Sequence, residues 1–304
     1  MEVEMDKDLV KSIVCRVEDW DHENVEYEVL SGGLTNLNYT VHANGSKYVL
    51  RIPGEGSEVM IDRDCELYNS KAAAQSGVSP QVICSIKPED ALVIEFIEGE
   101  VMHPETVAES SSRLEAIGRS LNQLHSGAEF KPETYVFDMI PKYRGMCGDV
   151  GAFLPYDFDW ILSVVDEIAE AMERDKPRLT ACHNDLLSEN FIYDPEGKMW
   201  IIDWEYGGMN DPFFDLGDVC VEHPLTPEQE ELLLRAYAGV VDKSRLSRMR
   251  LHKLTADVWW GMWGMIQDRI SSLDFDFYTY GIRRFERFRR NYYEGQYSMW
   301  INTV

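Results

Sequence analysis

Leu9, Val10, Ile13, Val14 and Val17 recur at helical spacing and predict an amphipathic helix over residues 6–18. Strand patterns follow over 25–30, 37–42 and 47–52, the last two flanking Asn44-Gly45, a two-residue hairpin signal. Residues 59–76 read as a helix that stops at Gly77, with Pro80 just beyond. Apolar runs over 81–86 and 91–96 complete a small mixed sheet. After Glu98-Gly99 the period changes, and helices are expected over about 105–125, 158–174, 227–240, 246–271 and 277–293. Between them, 180–204 holds two short strands around the turn Asp194-Pro195-Glu196-Gly197. Strands segregated from helices predict an α+β protein of two lobes, residues 1–98 and 99–304. A cleft between two lobes is a natural place for a ligand.

Composition narrows the function. The 304 residues carry a formal net charge of -25, which repels nucleic-acid phosphates and anionic lipid headgroups. The same acidity fits a cationic small molecule only weakly, since a solubilising surface is the simpler explanation. Six cysteines, at 15, 65, 84, 147, 182 and 220, show no C-x-x-C pair, so neither a zinc ribbon nor a redox motif is expected. The amino-terminal MEVEMDKDLVKSIV has neither the basic start nor the apolar run of a secretion signal. No stretch of about eighteen apolar residues occurs either, and a cytoplasmic protein is expected.

The chemistry concentrates in His183-Asn184-Asp185-Leu186-Leu187-Ser188-Glu189-Asn190, an H-x-D-x-x-x-x-N skeleton, followed by Asp203 in Ile201-Ile202-Asp203-Trp204-Glu205. Phosphoryl transfer needs positioning and charge neutralisation more than covalent chemistry. One carboxylate must meet the acceptor hydroxyl, while a second carboxylate and an amide oxygen hold Mg²⁺ against the phosphates. A tight loop followed by a β-hairpin brings Asp185, Asn190 and Asp203 to one spot, at the interval of a protein-kinase catalytic loop. H-x-D alone is common, and His183 with Asp185 and Asp203 would also serve a hydrolytic metal site.

The whole stretch HNDLLSENFIYDPEGKMWIIDWEYGGMNDPFFDLGDV resembles the signature of the choline/ethanolamine kinase family, within the aminoglycoside phosphotransferase group. The resemblance runs from about residue 30 to 290 and is most specific over 183–218. It implies a two-lobed, protein-kinase-like fold, ATP and Mg²⁺ as cofactors, and roles residue by residue. Asp185 resembles the catalytic base and His183 the residue that braces its loop. Asn190 and Asp203 resemble the metal ligands, with Glu205 assisting through water. Asp215 resembles the aspartate that pins the catalytic segment. In the first lobe, Gly32, Gly33, Thr35 and Asn36 of Ser31-Gly32-Gly33-Leu34-Thr35-Asn36 match a loop over the nucleotide phosphates. Read alone, that segment is a hairpin turn before it is a phosphate loop; it is not a Walker A loop, since no G-K-[ST] follows. Arg51 stands where protein kinases carry a lysine, and Arg holds phosphate oxygens as a fork. Glu66 is either its ion-pair partner or part of a solvated helix face. Glu95 and Ile97 would form the hinge that meets adenine through the main chain.

Trp259, Trp260 and Trp263, with Phe275, Phe277, Tyr278 and Tyr280 beyond, form an aromatic stripe that spacing alone reads as core. Quaternary ammonium ions, however, are recognised by aromatic faces. The resemblance matches Trp260, Trp263, Tyr280 and the acidic Glu222 to a choline box. The sequence Glu222-His223-Pro224 lacks the aromatic-rich continuation of the eukaryotic enzymes. ATP-dependent phosphorylation of choline is therefore the leading expectation. Ethanolamine, an aminoglycoside or sugar-like alcohol, and a non-catalytic scaffold are the alternatives.

Overall fold

The structure, a computed structural model, describes residues 7–30, 36–54, 60–175 and 178–304. It opens with α1 (Lys7–Val14), β1 (Glu26–Val29), β2 (Leu37–Ala43), β3 (Ser46–Ile52), α2 (Arg63–Gln75), β4 (Val82–Ile86) and β5 (Ala91–Glu95). The strands form one sheet in the order β1-β2-β3-β5-β4, each pairing antiparallel. The β2–β3 hairpin turns on Asn44 and Gly45 at φ 51° and 77°, the left-handed conformations this residue pair tolerates best. Leu50 and Ile52 of β3 are buried with Val10, Ile13 and Val14 of α1 against one face of the sheet. Strand alternation then sends Arg51 to the opposite face, the one α2 approaches. That helix begins at 63 rather than 59 because the Asp62 carboxylate accepts from the Asp64 and Cys65 amides and caps it. It ends, as the sequence suggests, at a Gly77 held at φ 81°.

The rest of the chain is mostly helical. It runs β6 (Glu100–Val101), α3 (Pro104–Ala108), α4 (Ser111–Gly127), α5 (Val136–Asp149), α6 (Phe158–Met172), β7 (Thr180–Cys182), β8 (Phe191–Tyr193), β9 (Met199–Ile201) and β10 (Gly208–Asn210). Then come α7 (Pro212–Glu222), α8 (Pro227–Ala238), α9 (Lys243–Ile270), α10 (Phe277–Glu294) and α11 (Tyr297–Thr303). The single helix expected over 105–125 is two, because the Ser110 hydroxyl accepts from the Arg113 amide and starts a new one. Helices α5, α7 and α11 were not expected. Among the described residues, no helix is long and apolar enough to cross a membrane.

Two packing features position the site. Strands β7 and β10 pair, as do β8 and β9, so the segment 183–190 and the end of β9 are anchored on both sides. Helix α9 runs through a core shared with α5, α6 and α10. Where α9 meets α10, Gly264 admits a very close approach. A Cβ there would sit 2.8 Å from Tyr280 Cδ1 and 3.0 Å from the Gly281 backbone. Any side chain at 264 would push Tyr280 away from Trp263.

Candidate active site

The segment after β7 is held by carboxylates rather than by regular structure. Both Asp215 oxygens accept backbone amides, from His183 and Asn184, at 2.8 Å each. Asp218 accepts the Leu186 amide at 2.7 Å. His125 Nε2 lies 3.0 Å from Asp215 and steadies that carboxylate in turn. His183 Nδ1 accepts the Asp185 amide at 3.2 Å, so its proton is on Nε2, which donates to the Ile202 carbonyl at 2.8 Å. Burial lowers the pKa of this imidazole, which stays neutral and braces the loop against Ile202, the residue before Asp203. Asn184 sits at φ 69°, a region asparagine tolerates, and its side chain ties Thr134, Tyr206 and Asn210 together. Asp215→Ala would strand two buried backbone donors, each costing about 1–3 kcal/mol. We expect it to lower unfolding free energy by about 3 kcal/mol or more, read by urea denaturation, and Asp215→Asn to cost less.

Asp185 emerges from this frame with its carboxylate half-buried. Burial raises its pKa well above the usual carboxylate range, reinforced by Asp203 and Glu222 and opposed by Arg284. Asn190 closes the loop: its Nδ2 donates to the Asp185 carbonyl at 2.8 Å, which makes the amide oxygen the candidate ligand atom. Asp203 sits at φ 70°, a strained position for any residue but Gly, Asn or Asp.

Asp203 opens onto a cluster of charges from both parts of the chain. Arg51 Nη1 donates to Asp203 at 3.0 Å, and Arg51 Nη2 donates to Glu66 and, at 2.9 Å, to Glu205. Arg63 bridges Glu66 at 2.7 Å and Glu205 at 2.6 Å. Two guanidiniums thus face three carboxylates. The Glu66 side chain is only 2% exposed, so it is Arg51's partner and not a solvated residue. Burial opposes the charge on Arg51, but Asp203, Glu66 and Glu205 outweigh it and hold its pKa above the usual value. Burial also lifts Asp203 to about 7 against the pull of Arg51, while the two arginines draw Glu205 down.

Oxygen ligands of Asp203, Glu66 and Glu205 lie within 4.8 Å of one another, and an all-oxygen set suits a hard cation such as Mg²⁺. They are not equivalent. One Glu205 oxygen already accepts from Arg51, Arg63 and Asn36, the last at 3.0 Å. Glu205 therefore orders the arginines, whereas Asp203, 29% exposed, is the accessible carboxylate. Asn36 belongs to the same cluster through that bond. Gly32, Gly33 and Thr35 lie outside the described residues. Next to the cluster, Val82, Leu92 and Ile94 of the sheet line a narrow cleft with Ile202 that reaches Arg51 and Asp203. Glu95 closes β5 with its amide donating to the Gln81 carbonyl at 2.9 Å, and Ile97 follows in the connector to β6.

A group of rings includes two tyrosines on which the charge of Asp185 acts. Trp260 and Trp263 have centroids 5.7 Å apart at 70°, and Trp263 and Tyr280 lie 5.6 Å apart at 72°. Tyr206, which sequence reasoning passed over, completes the group. It packs 5.0 Å from Trp260, and its hydroxyl accepts from Trp263 Nε1 at 2.8 Å. Burial raises the hydroxyl pKa of both Tyr206 and Tyr280, with Asp185 among the charges that add to it. Trp260 and Trp263 belong to the core. Glu222 is not a bare counter-charge. It is ion-paired with Arg284, and Arg287 lies 3.5 Å away. The readable signal for Tyr206 was its place directly after Trp204-Glu205. Arg63 pairs with Glu66 three residues on, but its link to Glu205 spans 142 residues and that of Arg284 to Glu222 spans 62, so sequence spacing showed neither.

A protein-kinase-like α+β fold with one carboxylate at a tight loop and another at a guanidinium cluster defines a phosphotransferase. The model of the phosphotransferase enzyme family matches residues 26–252, and the chain belongs to that family. A crystal structure of a choline/ethanolamine kinase family protein from Mesorhizobium loti superposes with a TM-score of 0.87 and 32% identity, covering 98% of this chain and 99% of that one. It places the chain in the choline/ethanolamine kinase branch. The choline kinase LicA from Streptococcus pneumoniae is similar at TM-score 0.77 and 25% identity, over 93% of this chain and 97% of its own. Ethanolamine kinase 2 of Mus musculus is 26% identical over 298 residues, 88% of this chain and 77% of its own length.

Proposed function

We propose that this chain transfers the γ-phosphoryl group of ATP to the hydroxyl of choline, giving phosphocholine and ADP. The observation that carries the reading is the group of four rings, Tyr206, Trp260, Trp263 and Tyr280, whose tyrosines sense the charge of Asp185. Such faces attract a trimethylammonium head by cation–π interaction. Its hydroxyl, two carbons away, then meets the base. In this reading residues 1–98 form the nucleotide lobe and 99–304 the catalytic and acceptor lobe. Glu95 and Ile97 hold adenine through the main chain, and Gly32, Gly33, Thr35, Asn36 and Arg51 serve the phosphates. Asp203 and Asn190 would hold Mg²⁺, which neutralises phosphate charge. Asp185 accepts the hydroxyl proton, and His183 keeps it in place. We place the enzyme in the cytoplasm, where ATP is supplied.

An ATP-coupled assay over choline, ethanolamine, methylated ethanolamines and aminoglycosides tests this. The highest kcat/KM is expected for choline; preference for an aminoglycoside or absence of turnover overturns it. Within that assay, Trp263→Ala should raise the KM for choline by about tenfold or more, the loss of one desolvated cation–π face, and leave the KM for ATP unchanged. Trp263→Phe keeps a ring but removes the donor to Tyr206, and should fall between the two. Equal rises in both KM values would show that the ring is only core.

A further inference from the structure

We propose that Arg284 sets the choice of ammonium head in the acceptor pocket, by occupying the carboxylate that a primary ammonium would otherwise use. The inference rests on the choline/ethanolamine reading above. It goes further, because it names a residue that neither the motif nor the aromatic group identifies.

The geometry is specific. Arg284 Nη1 and Nη2 both donate to Glu222, Nη2 at 3.1 Å from Oε2, in the fork-to-fork arrangement that matches guanidinium to carboxylate. Nη2 also donates to the Tyr280 hydroxyl at 2.7 Å, and the guanidinium carbon stands 4.7 Å from the centre of that ring. The side chains of Arg284 and Glu222 are 7% and 10% exposed. The protein thus supplies its own cation to the acidic corner of the pocket and to Tyr280. Arg287 reinforces it, 3.5 Å from Glu222 and 2.6 Å from Asp257. Two other carboxylates nearby, Asp218 and Asp257, are fully buried. Burial raises both of their pKa values, so neither substitutes as a ready anion.

The consequence follows from the chemistry of the two heads. A primary ammonium brings three N–H donors and strong hydration, and enters a dry pocket only where acceptors replace its water. With both Glu222 oxygens taken by Arg284, few remain beyond Asp185, which the hydroxyl needs. A quaternary ammonium has no N–H to satisfy and loses little against the faces of Trp260 and Trp263. Arg284 is therefore a specificity residue acting through Glu222, not a group that touches the reacting atoms.

The measurement is the ratio of kcat/KM for choline to that for ethanolamine, in the full-length chain with saturating ATP. Arg284→Met frees Glu222, and should lower the ratio by about tenfold, mainly through a lower KM for ethanolamine. Combining it with Glu222→Gln removes the freed carboxylate and should return the ratio to within about threefold of the unmodified chain. Glu222→Gln alone leaves an uncompensated arginine that repels both substrates alike, so both KM values rise and the ratio holds. A ratio unmoved by Arg284→Met in a folded protein overturns the assignment, as does a lowered ratio that the double substitution fails to restore. If Met at 284 prevents folding, Glu222→Gln decides. A selective loss of ethanolamine turnover would mean that Glu222 already contacts substrate and that the assignment is wrong. An unmodified chain that prefers ethanolamine sinks the choline reading, while the response of the ratio still tests Arg284.

Discussion

Asp185→Asn lowers kcat for choline by at least about a hundredfold, the usual contribution of a positioned base, while the KM for ATP stays within about threefold. The structure makes this substitution an unusually clean one. Residue 185 is fixed through its main chain, the amide donating to His183 Nδ1 and the carbonyl accepting from Asn190 Nδ2. The neighbouring amides are held by Asp215 and Asp218. Asparagine disturbs none of these bonds and fills the same volume, but has no oxygen basic enough to take a proton. Burial first, and then Asp203 and Glu222, raise the carboxyl's pKa, which makes it a better acceptor for an alcohol proton than an exposed aspartate. Melting temperature should be unchanged or slightly higher, because the variant no longer buries a charge. Turnover within about threefold of the unmodified chain would remove Asp185 from the role of base.

Features that depend on neighbours in sequence were the legible ones. The H-x-D-x-x-x-x-N loop is a local structure, and its spacing alone puts Asp185 and Asn190 together. Asn44-Gly45 and Gly77 are likewise local, since a positive φ limits which residues fit. Helix α5 was invisible because Pro141 lies inside it and Gly145 and Gly148 follow, all residues that normally interrupt a helix. Burial of Val136, Ile140, Tyr143 and Cys147 against α6 and α9 overrides those preferences. Helix α7 was hidden because Asp211-Pro212 reads as a turn, although it is an N-cap followed by proline at the first helical position. The charges around Asp203 and Glu222 were only half readable. Carboxylates announce themselves by position after a motif. Arg63 and Arg284 lie on helix faces, and which distant carboxylate each meets is decided by how the helices pack, not by any period in the sequence.

That charge pattern leads to the second large effect, at Asp203. Asp203→Asn abolishes Mg²⁺-dependent turnover, by about a thousandfold or more, without lowering stability. Asparagine is the right replacement because the backbone here has φ 70°, where alanine would add strain of its own. The fold tolerates the loss of charge for a reason visible in the cluster. Arg51 and Arg63 face three carboxylates, and burial has already lifted Asp203 to about 7. Glu66 and Glu205 still hold both arginines after the substitution. A neutral side chain at 203 therefore leaves two guanidiniums opposite two carboxylates, a balance no worse than the present one. Function has no such slack. Phosphate oxygens brought against Asp185 repel it, and at about 4 Å two unit charges near a protein surface interact by about 4 kcal/mol. In the proposed mechanism a cation held by Asp203 and the Asn190 oxygen would offset this at the place of transfer. Activity measured against Mg²⁺ concentration, beside a melting curve for the same preparation, separates the two consequences. An inactive protein that melts as high as the unmodified chain is the expected result. Full activity in excess chelator, or in Asp203→Asn itself, would show that the accessible carboxylate of this cluster is not the metal ligand.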